Sequence, residues 1–351
     1  MYKRVVIKIG SGVITKDGRL AEDVVAGLVE QVAALRTRGV EVLIVTSGAV
    51  VTGKSILSER GMSESIPDRQ ALAAVGQIGL MALYAKLFNE QGMHCAQVLV
   101  TKGDFRDHQH YINMKNCLEN LLQRDIIPIV NENDAIAITE LIFTDNDEVA
   151  GLIASLLNAE AVVFLTSVDG ILEQETGTVI TEIHPDAAQS FESHITNVKS
   201  ATGRGGMHRK FEIAKKLMAQ GIAAHIANGA KKDVVEDIIE GRKIGTTFIP
   251  DKKASAPKRR LAYAEGLSAG AVYVDNRAED ILLSKKFVSL LPVGVVKVEG
   301  QFKKGDTIEI RNESGKKLGF GVAQYDAEKA KELRGRKGGR ALIHYDYMFI
   351  G

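Results

Sequence analysis

Four apolar runs within the first 170 residues all stop in the same way. Val5-Val6-Ile7-Lys8-Ile9 ends in Gly10-Ser11-Gly12, and Glu41 to Val45 ends in Thr46-Ser47-Gly48-Ala49. Ile126 to Val130 ends in Asn131-Glu132-Asn133-Asp134, and Ala161 to Leu165 ends in Thr166-Ser167-Val168-Asp169-Gly170. Runs this short and this apolar read as strands buried on both faces, the habit of a parallel sheet. Helical patterns separate them. Leu20 to Arg38 carries apolar residues at Val24, Val25, Leu28, Val32 and Leu35, and Arg69 to Gln91 is Ala-rich, with Gly76 and Gly79 spaced for close helix packing. A third helix is expected at about His108 to Arg124, further strands at His94 to Val100 and Ile222 to Ala227, a last helix at Asp233 to Glu240, and an edge strand at Gly245 to Phe248. Ser55 to Pro67 reads as an exposed connection. Strand alternating with helix up to residue 250 predicts a doubly wound α/β sandwich.

In such a sheet, ligands bind beyond the carboxyl ends of the strands. The stretch Ile126 to Gly151 matters most here, because it turns polar at Asn131 to Asp134 and again at Asp145-Asn146-Asp147. Short amides and carboxylates compete with backbone hydrogen bonds and sit well at strand ends and helix caps. Acidic residues at the start of a helix over Glu148 to Asn158 also favour its dipole, so part of the second cluster has a purely structural explanation. Two such clusters close together favour a pocket for a polar substrate. Lys8, inside a buried strand, is costly unless its ammonium reaches an anion. Gly10-Ser11-Gly12 is either a plain tight turn or a place where backbone N–H groups approach phosphate. Neither GxxxxGK[ST] nor GxGxxG is present. Thr202-Gly203-Arg204-Gly205-Gly206-Met207 opens a helix, a ready anion site or a simple loop. Lys210 falls in the first turns of that helix, where the dipole disfavours a cation unless a polyphosphate lies above it.

The formal net charge of +1 hides two halves. Residues 1–250 hold 25 Lys and Arg against 31 Asp and Glu (−6), whereas residues 251–351 hold 20 against 13 (+7). Asp251 to Arg260 is a polar linker, and beyond it short β-branched runs (Ala271 to Val274, Val295 to Val298, Thr307 to Ile310) alternate with turns at Lys304-Gly305-Asp306 and Glu313-Ser314-Gly315. That texture predicts a small β-rich barrel. Lys329 to Arg340, basic and glycine-rich, is either a solvated loop or a nucleic-acid contact. Cys95 and Cys117 make no disulfide framework or zinc site and read as buried thiols in a reducing cytosol. Met1-Tyr2-Lys3-Arg4 runs straight into a strand, so no secretory leader is expected. No apolar run approaches the roughly 20 residues of a membrane span, so no membrane association is expected.

Two lysines from distant segments and three glycine-rich turns suit a nucleoside triphosphate. The Asn/Asp clusters suit a small zwitterion, with Asp134 taking an ammonium and Ser47 and Asn146 donating or accepting. Phosphoryl transfer needs positioning and charge neutralisation more than covalent chemistry. A carboxylate acceptor, already ionised at neutral pH, needs no general base.

Val5 to Ser11, Val45 to Ala49, NEND at 131–134, DND at 145–147, and Gly205-Gly206-Met207 with Lys210 together resemble the amino acid kinase superfamily. The resemblance, which runs nearly end to end, is to those members that phosphorylate glutamate, and the C-terminal piece is similar to a PUA domain. It implies an α/β/α sandwich with a mainly parallel sheet over residues 1–250, a linker at 251–260, and a small β-barrel-like PUA domain at 261–351. It also implies ATP-dependent phosphorylation of the L-glutamate γ-carboxylate, the first step of proline biosynthesis, with Mg²⁺, and usually feedback inhibition by proline. Carried over by motif, Lys8 and Lys210 would contact the transferring phosphate, with Asp147 holding them in place. Ser47, Asp134 and Asn146 would bind glutamate. Thr166 and Ser167, with Arg204, Gly205, Gly206, Met207, His208, Arg209 and Lys210, would line the nucleotide site, and Lys8 would also touch ATP. No protein ligand for Mg²⁺ stands out. Ser167 stands where an Asp is common, Arg204 where a Thr is common, and Ser11 for the more usual Thr. The family suggests dimers or tetramers, and the PUA-like tail suggests RNA. The alternatives are a sister kinase acting on N-acetylglutamate or aspartate, or an RNA-binding regulator with a vestigial kinase fold.

Overall fold

The structure, a computed structural model, describes residues 2–57, 65–136, 145–173, 176–188, 206–250, 268–284, 288–338 and 340–350. The chain divides into two compact units, Met1–Thr101 with Lys115–Lys253, and Lys102–Met114 with Ala254–Gly351. Up to residue 250 the elements run β1 (Arg4–Ile9), α1 (Ser11–Ile14), β2 (Thr15–Lys16), β3 (Arg19–Leu20), α2 (Glu22–Thr37), β4 (Glu41–Val45), α3 (Ala49–Leu57), α4 (Ile66–Glu90), β5 (His94–Val100), α5 (Lys102–Arg106) and α6 (His108–Gln123). They continue with β6 (Ile126–Glu132), α7 (Asn146–Leu156), β7 (Ala161–Thr166), β8 (Glu182–Ile183), α8 (Gly206–Ala219), β9 (Ala223–Asn228), α9 (Val234–Ile239) and β10 (Thr246–Phe248).

Eight strands form one sheet in the order β5-β6-β4-β1-β7-β9-β10-β8, with every pairing parallel except β9 to β10. β1 lies mid-sheet, flanked by β4 and β7, so the chain builds first to one side of it and then to the other. Val5, Ile7 and Ile9 pack with Val25, Leu28 and Val32 of α2 and Leu80, Tyr84 and Phe88 of α4. Successive strand residues face opposite ways, so Lys8 projects to the other face, where α7 lies against β1 and α8. The carboxyl ends of β1, β4, β6 and β7 thus line one rim at the point where strand order reverses, and they carry the polar clusters that end the four apolar runs.

Three expectations change here. Gly245 to Phe248 is not an edge: β10 lies inside the sheet, and the two-residue β8, too short to leave a pattern, takes the edge. Ser55 to Leu57 is helical and α4 already begins at Ile66, where the Ser65 side chain caps it through Asp68 N and Pro67 occupies the first turn. Cys95 is half-buried but Cys117 is exposed on α6, contrary to the expected pair of buried thiols.

Contrary to the expectation that no apolar run approaches a membrane span, helix α4 is long and apolar enough to cross one by length and composition. It buries Leu72, Leu80, Leu83, Tyr84 and Phe88 and packs backbone to backbone on α3. A Cβ on Gly76 would lie 1.8 Å from Ala49 O, and one on Gly53 would lie 2.0 Å from Leu72 O. Backbone cannot yield as a side-chain tip can, so Gly76→Ala is expected to lower stability by roughly 1–3 kcal/mol or more. A thermal melt of the variant checks this, and an unchanged Tm would mean the helices are free to separate.

His225 on β9 is buried between Tyr2 Oη and Thr247 Oγ1, each at 3.0 Å from a ring nitrogen. Burial pulls its pKa from 6.5 down to about 4. The unfolded chain therefore takes up a proton at higher pH than the folded chain. The contribution of neutral His225 is full above pH 6.5 and is lost as pH falls toward 4, by about 3 kcal/mol in total. Denaturant unfolding of wild type and His225→Gln at pH 7.5 and pH 4.5 should show a shallower loss in the variant.

The second unit contains β11 (Gly270–Val274), α10 (Asn276–Leu283), a short 3₁₀ turn (Pro292–Gly294), β12 (Val295–Gly300), β13 (Thr307–Asn312), β14 (Lys317–Ala323), α11 (Ala327–Leu333) and β15 (Ile343–Ile350). Its sheet runs β12-β11-β13-β14-β15, with only β11 and β13 parallel among the described pairings. Val272, Val274, Phe302, Ile308 and Ile310 form its core. Gly305 and Gly315, at φ +97° and +85°, make the two turns expected there. Lys329 to Leu333, read from sequence as the start of a loop, belongs to α11, which Asp326 caps through Lys329 N at 2.8 Å. The expected linker at 251–260 lies outside the described residues.

Candidate active site

Asp147, in the first turn of α7, has no exposed surface. Its Oδ1 lies 2.6 Å from Lys8 Nζ and its Oδ2 lies 2.9 Å from Lys210 Nζ. Burial alone would raise the pKa of this carboxyl, but the two ammoniums outweigh it and hold the group below the usual carboxylate range. Lys8 arrives from the end of β1, only 5% exposed, and Lys210 from the first turns of α8. Two ammoniums thus share one carboxylate at the rim of the sheet, with the Asp145 carboxyl close by. Asp145 caps α7 by accepting from Asp147 N at 2.9 Å and Glu148 N at 3.2 Å. This cap orients the first turn, and with it both Asn146 and Asp147. Burial and then the nearby Asp147 charge raise the pKa of Asp145.

Next to this ion cluster runs a chain of amides. Asn146 Nδ2 lies 3.0 Å from Thr46 O, 2.9 Å from Ser47 Oγ and 2.9 Å from Asn131 Oδ1. Asn131 Oδ1 also accepts from Glu132 N, and its Nδ2 donates to Gln77 Oε1, both at 2.9 Å. Thr46 is held from behind by Tyr84, whose hydroxyl is 3.0 Å from Thr46 Oγ1. Complete burial pushes that phenol up to about 12, so it stays neutral. Thr46 and Asn131 fall on the α4 side of the sheet by the two-residue alternation of β4 and β6, which lets Gln77 and Tyr84 reach them.

Asp134 stands in the turn after β6, on a cavity of about 250 Å³ shared with Ala49, Gln77, Leu99 and Asn133. Burial raises its pKa, and Arg69 partly opposes the shift. The cavity is large enough for a small amino acid, and its walls are mostly apolar with a few polar groups.

The structure therefore brings Lys8, Asp147 and Lys210 together, and places Ser47 against Asn146. Asp134 connects to that pair through the cavity wall at Gln77. Thr166 and Ser167 sit at the end of β7, where Thr166 O accepts from Gly229 N at 2.9 Å. Gly206, Met207, His208 and Arg209 form the first turn of α8, ahead of Lys210. Arg204 and Gly205 lie outside the described residues, as does the apolar segment at 137–144. Asn131, Gln77, Tyr84 and Asp145 were given no role from sequence. Asn131 and Asp145 lie inside the two polar clusters, which was their signal. Gln77 and Tyr84 had none, because nothing local to an Ala-rich helix says which residue meets a strand end.

The fold and this rim place the protein in a known class: the chain belongs to the amino acid kinase family, which it matches over residues 3–228. Residues 270–342 match the PUA domain. Among curated relatives, the chain is 48% identical to a glutamate 5-kinase of Chlorobaculum tepidum, covering all of this chain and 98% of the relative. It is 40% identical to the glutamate 5-kinase of Bacteroides thetaiotaomicron, covering 99% of each. Of solved structures, carbamate kinase from Giardia lamblia bound to AMP-PNP superposes with a TM-score of 0.54 at 17% identity, over 71% of this chain and 99% of that one, a likeness of fold.

Proposed function

We propose that this chain transfers the γ-phosphoryl group of ATP to the γ-carboxylate of L-glutamate, the first step of proline biosynthesis. The observation that carries the reading is the buried Lys8–Asp147–Lys210 cluster, in a chain that matches named glutamate 5-kinases along its whole length. A γ-carboxylate oxygen attacks the γ-phosphorus, the bond from phosphorus to the β,γ-bridging oxygen breaks, and glutamyl 5-phosphate and ADP result. Charge spreads over the transferring group, and preorganised cations stabilise it. Lys8 and Lys210 are those cations here, and Asp147 fixes their separation. The attacking carboxylate is ionised at neutral pH, so no base is required.

Thr166, Ser167 and the segment from Arg204 to Lys210 are assigned to the nucleotide, and Ser47, Asp134 and Asn146 to glutamate. Mg²⁺ supplies charge neutralisation on phosphate oxygens when bound. Among the described residues no group of three or more His, Cys, Asp or Glu side chains converges on a metal position. This suits an ion held mainly by phosphate and water, and no step is derived through it. Residues 1–250 are proposed as the catalytic domain and 261–351 as a PUA-type domain with RNA as its partner class, supported by its +7 balance. Inhibition by proline and a dimeric or tetrameric assembly belong to the same proposal.

The test is ADP release from MgATP with glutamate, N-acetylglutamate, aspartate or no acceptor, with hydroxylamine present to trap acyl phosphate. Glutamate-dependent ADP with hydroxamate supports the reading, and folded protein silent with glutamate overturns it. Asp134→Asn is expected to raise the glutamate KM by roughly 10- to 100-fold, the worth of a charge-assisted hydrogen bond. The ATP KM should hardly move. An equal rise in both would remove Asp134 from the glutamate site.

A further inference from the structure

Among the described residues, two buried side-chain atoms beside the candidate site have no hydrogen-bond partner, one acceptor and one donor: Asn146 Oδ1 and Gln77 Nε2. Their orientations follow from backbone groups at either end of the amide chain. Thr46 O can only accept, so Asn146 presents its Nδ2 there and leaves Oδ1 free. Glu132 N can only donate, so Asn131 turns its Oδ1 toward it and its Nδ2 toward Gln77. Gln77 must then meet Asn131 with Oε1, which leaves Nε2 facing away. Flipping Gln77 alone would set two donors against each other.

Gln77 is 8% exposed and lines the same cavity as Asp134. A buried N–H donor without a partner is destabilising, so one fixed in place by its neighbours points to a ligand acceptor. An ordinary tertiary role for Gln77 would be complete with Oε1 on Asn131, and the second donor would then be better absent.

We infer that Gln77 is a specificity-determining residue whose Nε2 donates to the α-carboxylate of the amino acid, while Asp134 takes the α-ammonium. The inference deepens the proposed glutamate kinase reading and rests on it. The two groups read opposite charges on one carbon. Together they would select a free α-amino acid and hold the far carboxylate toward Lys8 and Lys210. A substrate without the α-carboxylate would leave the Gln77 donor empty, and such an empty buried group is how polar sites reject analogues.

The test uses Gln77→Glu and Gln77→Met in the full chain. Gln77→Glu is nearly isosteric and keeps an oxygen for Asn131, but puts an oxygen where Nε2 was. The measurements are the KM and kcat for glutamate and for ATP. Alongside them go competitive inhibition constants for 4-aminobutyrate, which lacks the α-carboxylate, and glutarate, which lacks the ammonium. Both variants are expected to raise the glutamate KM and the glutarate inhibition constant by roughly 10- to 100-fold. The 4-aminobutyrate constant and the ATP KM should stay within about threefold, a factor worth little free energy on that scale.

A parallel loss for 4-aminobutyrate and glutamate would mean that Gln77 only orients Asn131, and would overturn the inference. So would an unchanged glutamate KM. If Gln77→Met does not fold, Gln77→Glu decides. Wild-type protein silent with glutamate removes the function reading and this inference together. Active wild type with a Gln77-insensitive glutamate KM removes the inference alone.

Discussion

Asp147→Asn is expected to lose both stability and turnover. The neutral amide would leave the Lys8 and Lys210 ammoniums facing each other with nothing between them to compensate, one nearly buried and one largely so. Removing one partner of a buried ion pair typically costs about 3–5 kcal/mol, because the remaining charge stays desolvated and unpaired. In a domain of this size that corresponds to a Tm lower by roughly 10 °C. The sign of the nucleotide effect is the sharper check. A polyphosphate would replace the missing negative charge, so MgATP should raise the Tm of Asp147→Asn more than that of wild type. An equal shift in both proteins would mean that the phosphates do not meet these lysines. The kcat should still fall, because the lysines no longer have a fixed separation.

Lys8→Ala and Lys210→Ala are expected to lose kcat by on the order of 100-fold each, the usual effect of removing one preorganised charge from a transition state. The glutamate KM should change little, since neither ammonium is assigned to the α-amino end. Lys8→Arg should not restore the rate. A planar guanidinium is wider than an ammonium and cannot occupy a 2.6 Å contact to one carboxylate oxygen in the same geometry. Steady-state kinetics with all three variants decides this, and near-normal kcat in either Ala variant would take that lysine out of the mechanism.

Much of this rim was legible because its strands are so plain. Val5 to Ile9 is almost wholly apolar, so Lys8 stood out as a charge that needed a reason, and the abrupt change at Asn131 fell within two residues of the end of β6 at Glu132. The same plainness explains the gaps. The outermost β8 is two residues long, below the length at which alternation can be recognised. β14 contains Gly319 and Gly321, and a Cβ at Gly319 would lie 2.0 Å from Phe349 O. Those glycines answer to the close approach of β15, a fact of tertiary packing that reads as loop composition in the sequence. Gln77 and Tyr84 show the limit for the site itself. Each is one polar residue in an apolar helix, and its meaning depends on which strand end lies opposite.

The position of β1 has a consequence for how the protein is made. Of this sheet's strands β1 is synthesised first yet lies mid-sheet, and whereas its neighbour β4 follows soon after, its other neighbour β7 lies far along the chain. At 5–20 residues per second, the roughly 200 residues between Lys8 and Lys210 take about 10–40 s to emerge. Until that interval ends, Asp147 has at most one of its two ammoniums. The second ammonium assigned to the nucleotide arrives only with α8, so a chain cut short before Lys210 is expected to carry a sheet without the means to hold polyphosphate.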